Sequence, residues 1–113
     1  MEKFDLEKKV SFLKGVAPFD SLPRESLLQV AGSFGAKKYK NREMIIHEGD
    51  TSHDFYVIKS GKVRVLTINE MGVESCLRVL SNNDILGELS AYDGAPRSAS
   101  AQAIGPCLIL VMR

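Results

Sequence analysis

The chain has few cysteines. Its 113 residues include only Cys76 and Cys107, and neither belongs to a CxxC pair. Two thiols cannot form a disulfide framework, and an iron–sulfur cluster needs about four. Free cysteines are usually buried, so we expect two buried thiols in a reduced intracellular protein. A disulfide framework and an iron–sulfur cluster are therefore excluded.

The chain also lacks a long apolar run and a strong net charge. The longest apolar stretch covers residues 107–112, which is too short to span a bilayer, and the polar N-terminus is unlike a signal peptide. The formal net charge of +1 gives no argument for binding nucleic acid or a membrane. Hydrophobic residues make up 44% of the chain and charged residues 26%, as in ordinary soluble domains. We therefore expect one cytoplasmic domain over residues 1–113, without a membrane segment.

Two helices are predicted in the first third of the chain. Leu6, Val10 and Leu13 recur at helical spacing, and Asp5 is placed to cap the helix that they form. The second helix carries one apolar stripe, made of Leu27, Leu28, Ala31 and Phe34. We therefore predict that residues 1–34 form a helical segment that packs against the rest of the chain.

After the helical segment, the hydrophobic pattern changes to the alternation of strands. About eight short strands are predicted, separated by turn signals at intervals of roughly 8–12 residues. Two of these turns are expected at residues 60–61 and 105–106, and a short hairpin is expected where residues 38–40 meet residues 44–47. No helix-length segment separates the strands, so parallel crossovers are unfavourable. The sequence predicts an antiparallel β-roll, or jelly roll, over residues 35–113.

The most unusual stretch covers residues 87–99, which interrupt the strand rhythm. Gly87 permits a sharp turn, and residues 88–92 fit one helical turn whose free N–H groups favour an anion. Arg97 is expected to begin the next strand, and its planar guanidinium can pair with two phosphate oxygens. Glu88 would repel a phosphate, so its natural partner is a sugar hydroxyl. A phosphate clamp beside a hydroxyl acceptor indicates a nucleotide.

The same stretch also has a purely structural interpretation. A glutamate and an arginine that flank a Gly–Pro turn often form only an ion pair, and short motifs of this kind match by chance. Other chemistry has less support. His47 and His53 are more typical of turn or surface histidines than of haem ligands, and zinc ligands at suitable spacing are lacking. We therefore expect no enzymatic activity, no catalytic residue, no metal and no cofactor.

Several segments of the chain follow one another in a familiar order and spacing: Phe12–Val16, Phe19–Leu22, Ile45–Asp50, Phe55–Gly61, Val63–Val65, Gly87–Ser90 and Pro96–Ala99. In this series the chain resembles the cyclic-nucleotide-binding domain family. It is most similar to the family's bacterial branch of catabolite-activator (Crp/Fnr-like) transcription regulators. The resemblance covers nearly the whole chain, and its last two segments correspond to the family's phosphate-binding cassette.

The resemblance implies a ligand-binding set in the cassette: Gly87, Glu88, Leu89, Ser90, Arg97, Ser98 and Ala99. By this likeness Glu88 accepts the ribose 2′-hydroxyl, Arg97 pairs with the cyclic phosphate, and Ser98 offers its hydroxyl and N–H. The backbone N–H groups of Leu89 and Ser90 correspond to the cassette-helix donors.

The family places an apolar wall for the base where this chain has Val65, Leu77 and Leu80. Ordinary core packing is the alternative role for these three residues. Arg78 lies among them and departs from the apolar pattern. Two roles stay open for it, a solvent-facing position and contact with the base.

The function that the resemblance implies is sensing of a cyclic nucleotide, most simply cAMP, in a transcription regulator. In the family, a short and a long helix follow the roll, and the long helix caps the base. In the bacterial regulators the long helix also forms the dimer interface, and a helix-turn-helix then binds DNA. We expect these C-terminal helices to be absent from the 113 residues, so homodimerisation and DNA binding would belong to a full-length protein. The alternatives are an interaction scaffold that binds no nucleotide, and a regulatory domain of a kinase, channel or transporter.

Overall fold

The computed structural model describes residues 5–17, 19–87 and 96–112. Two α-helices and one 3₁₀ turn precede six strands: α1 Leu6–Leu13, the 3₁₀ turn Phe19–Ser21, α2 Arg24–Ser33, β1 Phe34–Tyr39, β2 Met44–Ile46, β3 Phe55–Ile68, β4 Glu74–Leu80, β5 Ile85–Leu86 and β6 Ser100–Met112. The predicted fold class, a mainly antiparallel β structure with N-terminal helices, is confirmed.

Helix α1 begins where the sequence predicts because Asp5 caps it. The Asp5 carboxylate accepts a hydrogen bond from the Lys8 N–H at 3.0 Å, which satisfies one of the free donors of the first turn. Both helices bury their apolar faces in one core cluster with the strands, formed mainly by Val10, Leu13, Leu27, Ala31, Phe34, Val57 and Leu110. None of the described helices has the length and apolar character that a bilayer crossing requires.

All strand pairs are antiparallel, and the sheet follows the path β1-β6-β3-β4. Strands β2 and β1 both pair with β6, so the hairpin predicted between residues 38–40 and 44–47 is wrong. Strands β3 and β6 have 14 and 13 residues, and each continues through a predicted turn, at residues 60–61 and 105–106 respectively. The sheet therefore has fewer and longer strands than the sequence predicts.

A bulge replaces the predicted turn at Gly61. The residue has φ +111°, and a Cβ there would lie 2.7 Å from the Cys107 Sγ and 2.8 Å from the Pro106 oxygen. Glycine is thus required by the close approach of β3 to β6, where the pairing register shifts. Cys107 is buried, and its thiol donates to the Lys62 carbonyl, whereas Cys76 is exposed. The expectation of two buried thiols is therefore wrong for Cys76.

The interior of the roll is a second core cluster that involves strands β1 to β6. Its buried members are Tyr39, Ile45, Ile46, Tyr56, Ile58, Val63, Leu80, Leu86, Ala101, Ala103, Cys107 and Ile109. Val65 is half-buried and packs against this cluster. The roll is therefore closed by apolar contacts around β3 and β6, the two long strands from which the loops of the candidate site extend.

Candidate functional site

Among the residues that the structure describes, Arg97 is the one charged side chain that is buried, with 5% of its surface exposed. It precedes strand β6 by three residues instead of beginning it, because β6 starts at Ser100. Burying a guanidinium is costly unless hydrogen bonds and charge partners compensate. The partners of Arg97 therefore decide what this position does.

Backbone carbonyls hold the Arg97 guanidinium on two sides. Its NH2 group donates to the Asp54 oxygen at 2.6 Å, and its NH1 group donates to the Gly87 oxygen at 3.3 Å. The guanidinium also lies 5.9 Å from the ring centroid of Tyr56, within the range of a cation–π contact. The Nε donor is buried and has no hydrogen-bond partner among the residues that the structure describes.

No carboxylate within the described ranges forms an ion pair with Arg97. Two ion pairs within those ranges, Arg24–Glu7 and Arg64–Glu74, lie away from the cassette. An unpaired buried donor on a charged group carries a free-energy cost on the order of 1–3 kcal/mol, which an anionic oxygen would remove. Arg97 thus combines a positive charge, a fixed orientation and a donor atom, Nε, that no described residue satisfies.

Gly87 forms the side of the site that faces the guanidinium. It has φ +81°, and a Cβ there would lie 2.5 Å from the Arg97 NH1 and 2.7 Å from the Asp54 oxygen. The positive φ agrees with the predicted sharp turn. The missing side chain has a second consequence, because it leaves the space that the guanidinium occupies.

Hydrogen bonds connect the loop before β3 to the segment around Arg97. The Gly49 N–H donates to the Arg97 oxygen at 2.8 Å, and the Arg97 N–H donates to the Asp50 oxygen at 2.9 Å. The Glu48 N–H donates to the Ser100 hydroxyl at 2.9 Å. Arg97 is therefore fixed by its main chain as well as by its side chain.

Asp54 is the residue of this site that the sequence did not reveal. It contributes its main-chain oxygen, which every residue type possesses, so its side chain carries no signal. The only sequence hint is the Gly49–Asp50 turn, which identifies a loop but not its contact with Arg97.

The other predicted cassette residues are only partly within the described ranges. Ser98 is exposed and Ala99 is half-buried, directly after Arg97. Three predicted ligand-binding residues lie outside the described residues: Glu88, Leu89 and Ser90. The structure therefore brings Arg97 and Gly87 together, and the predicted ribose contact stays a prediction.

The three residues of the predicted base wall differ in burial. Leu80 is 8% exposed inside the roll, and Val65 packs against the same cluster. Leu77 is 59% exposed, because it is an extra residue of β4 at a register shift between Val65 and Leu66. Val65 and Leu80 therefore share the inner surface, and Leu77 lies outside the cluster.

The two histidines are surface residues. Both His47 and His53 are exposed, as the sequence predicts. Within residues 5–17, 19–87 and 96–112, no three His, Cys, Asp or Glu side chains come close enough to hold a metal ion.

Comparison with known proteins shows which domains are similar to this chain. A family model described as the cyclic nucleotide-binding domain matches residues 36–113. The regulatory subunit of a cAMP-dependent protein kinase from Blastocladiella emersonii is 30% identical over 95 residues, which cover 84% of this chain and 24% of that protein. The cyclic AMP receptor protein of Thermus thermophilus is 31% identical over 100 residues, which cover 88% of this chain and 46% of that protein.

A solved structure gives the same result for the fold. The regulatory domain of Toxoplasma gondii PKA, co-crystallised with cAMP, superposes with a TM-score of 0.86 at 25% identity, over 99% of this chain and 42% of that one. The chain therefore spans less than half the length of each of these three proteins.

Proposed function

Because the chain belongs to the cyclic nucleotide-binding domain family, we propose that it binds a 3′,5′-cyclic purine nucleotide and acts as the sensing domain of a regulatory protein. The observation that supports this most directly is Arg97. Its guanidinium is buried, its described partners are uncharged carbonyls, and its Nε has no partner within the described ranges. A singly charged phosphodiester supplies a negative charge and an acceptor that the described residues do not provide.

The proposed binding mechanism assigns one task to each polar group of the cassette. Arg97 binds the exocyclic phosphate oxygens, and the Ser98 hydroxyl and N–H donate beside it. The N–H groups of Leu89 and Ser90 complete the anion site, and Glu88 accepts the ribose 2′-hydroxyl. Val65 and Leu80 offer apolar surface to the base. Ligand binding then shifts the population of conformations in the elements attached to the roll.

The proposal also concerns the kind of regulatory protein to which the sensing domain belongs. The sequence resemblance favours a Crp/Fnr-type transcription regulator that responds to cAMP, and the Thermus relative is named as a cyclic AMP receptor protein. The Blastocladiella relative, a kinase regulatory subunit, supports kinase regulation as the second candidate. A cytoplasmic location, a homodimer and DNA contact through another domain follow from the first candidate.

Isothermal titration calorimetry with cAMP and cGMP tests the binding proposal, with 5′-AMP as the non-cyclic control. We expect micromolar to sub-millimolar binding of a cyclic nucleotide and weaker binding of 5′-AMP, whose phosphate carries a second negative charge. Arg97→Lys keeps the charge but loses the planar fork, so affinity should fall by about 2–5 kcal/mol. A flat titration at millimolar ligand with folded protein would support the scaffold alternative and overturn the proposal.

A further inference from the structure

Ser100 is a buried serine next to the candidate site, and the proposed binding mechanism gives it no task. It is 4% exposed, and apart from tyrosines and Cys107 the only other buried polar side chain in the described part of the chain is Arg97. Ser100 lies three residues after Arg97, at the first position of β6. Because a buried hydroxyl needs a hydrogen-bond partner, that partner indicates what the serine does.

The Ser100 hydroxyl holds the near end of the loop before β3. The Glu48 N–H, two residues beyond the end of β2, donates to this hydroxyl at 2.9 Å. In the neighbouring bonds, from the Gly49 N–H and from the Arg97 N–H, the acceptor is a main-chain oxygen, which every residue type possesses. The bond to Glu48 instead depends on a hydroxyl at position 100. It is therefore the contact between loop and cassette that a single side-chain change can remove without altering Arg97.

The far end of the same loop supplies the carbonyl that orients the Arg97 guanidinium. The Asp54 oxygen accepts the hydrogen bond from NH2 at 2.6 Å. Between its two ends the loop is bonded to itself. The Asp50 N–H donates to the His47 oxygen at 3.1 Å, and the Ser52 N–H donates to the Asp50 carboxylate at 3.0 Å. Because these internal bonds stiffen the loop, a displacement of its near end also displaces Asp54.

Building on the proposed function, we infer that Ser100 is a positioning residue for phosphate binding. Its hydroxyl fixes residues 48–54, and the Asp54 carbonyl at the end of that loop orients the Arg97 guanidinium toward the anion. Ser100 thus acts through Arg97 and is assigned no contact with the ligand. The competing role is a purely structural one, in which the hydroxyl satisfies the Glu48 N–H and the position of the loop has no effect on the guanidinium.

Two substitutions at position 100 test the hydroxyl. Ser100→Ala removes the acceptor of the Glu48 N–H, whereas Ser100→Thr keeps it. Both variants of the whole chain are titrated by calorimetry with cAMP and with cGMP. We expect the affinity for the tighter-binding nucleotide to fall about three- to ten-fold in Ser100→Ala, which is the range of one hydrogen bond. Ser100→Thr should stay within about two-fold of the wild-type affinity.

Phosphorothioate analogues of the same nucleotide give a measurement that a purely structural role would not change. In the Sp and Rp diastereomers, sulfur replaces one or the other exocyclic phosphate oxygen. The ratio of their dissociation constants therefore reports how the Arg97 guanidinium is oriented toward these two oxygens. The ratio does not depend on the fraction of folded protein, which urea denaturation measures separately. Ser100→Ala should move the ratio toward one, and Ser100→Thr should restore it.

Ser75→Ala is the matched control, because Ser75 is an exposed serine on β4, outside the loop and the cassette. It should change neither the affinity nor the diastereomer ratio. Wild-type affinity in Ser100→Ala would overturn the inference but not the proposed function. A loss of affinity in Ser100→Ala with an unchanged diastereomer ratio would also overturn it. Failure of the wild-type chain to bind any cyclic nucleotide would overturn the proposed function, and the inference with it.

Discussion

Substitution of Gly87 by alanine tests the geometry of the site without removing a charged group. The new Cβ would lie 2.5 Å from the Arg97 NH1 and 2.7 Å from the Asp54 oxygen. Since carbon contacts are favourable at about 3.5–4.0 Å, the guanidinium must move by roughly 1 Å. This movement breaks the 2.6 Å hydrogen bond from NH2 to Asp54. The arginine then loses the orientation in which its free Nε can meet an anion.

The expected loss of affinity comes from the displaced charge pair between the Arg97 guanidinium and the ligand phosphate. Disrupting a buried, hydrogen-bonded charge pair costs about 2–5 kcal/mol, which corresponds to roughly thirty-fold or more in the dissociation constant. The backbone contributes separately, because alanine at a left-handed position costs about 1–2 kcal/mol of folding stability. Calorimetry measures the first quantity, and urea denaturation measures the second.

Gly72→Ala separates these two contributions. Gly72 also has φ +81°, but a Cβ there would meet nothing within 4 Å. Gly72→Ala should therefore lose a similar amount of folding stability through its backbone conformation, while its affinity for the cyclic nucleotide stays unchanged. In addition, Arg97→Lys should cost little more when combined with Gly87→Ala, because both changes act through the same guanidinium. Wild-type affinity in Gly87→Ala, or full additivity in the double variant, would show that Gly87 does not act on ligand binding through the Arg97 guanidinium.

Two further predictions concern the fold and the ribose contact. Gly61→Ala places a Cβ 2.7 Å from the Cys107 Sγ, so it should destabilise the chain by about 1–3 kcal/mol more than Gly72→Ala does. Equal urea midpoints for these two variants would show that the β3–β6 contact is not tight. Glu88→Gln should weaken binding of the preferred cyclic nucleotide but have little effect on its 2′-deoxy analogue, measured by calorimetry. An equal loss for both ligands would remove the 2′-hydroxyl assignment.

The helices were the most predictable part of the fold because their signals are local. Asp5 and the spacing of Leu6, Val10 and Leu13 predict where α1 begins and which face it buries. The structure shows the Asp5 cap and buries Val10 and Leu13, whereas Leu6 is 43% exposed. Capping and amphipathic periodicity involve residues within a few positions of one another, so the sequence displays them directly.

The strands were predicted as too many and too short for a physical reason. A glycine with positive φ is compatible with a tight turn and equally with a bulge inside a continuous strand. At Gly61 the choice is made by Cys107 and Pro106, which lie more than forty positions further along the chain and pack against the glycine. No local pattern contains that contact.

The sequence predicts the part of the candidate site that depends on residue type, but not the part that depends on main-chain oxygens. Arg97 and Gly87 were identified from residue type and spacing, and the structure places them in contact. The Asp54 carbonyl was not identified, because a main-chain acceptor depends only on where the loop lies. The pairing of Arg78 with Val65 likewise depends on the register of β3 with β4, which the sequence does not specify.

The most direct test of the account is a crystal structure of the chain with a bound 3′,5′-cyclic nucleotide. We expect the Arg97 guanidinium to contact the phosphate oxygens and its Nε, which has no partner among the described residues, to donate to one of them. A ligand bound elsewhere, or bound in the roll with the Arg97 guanidinium still held only by the Asp54 and Gly87 carbonyls, would contradict it.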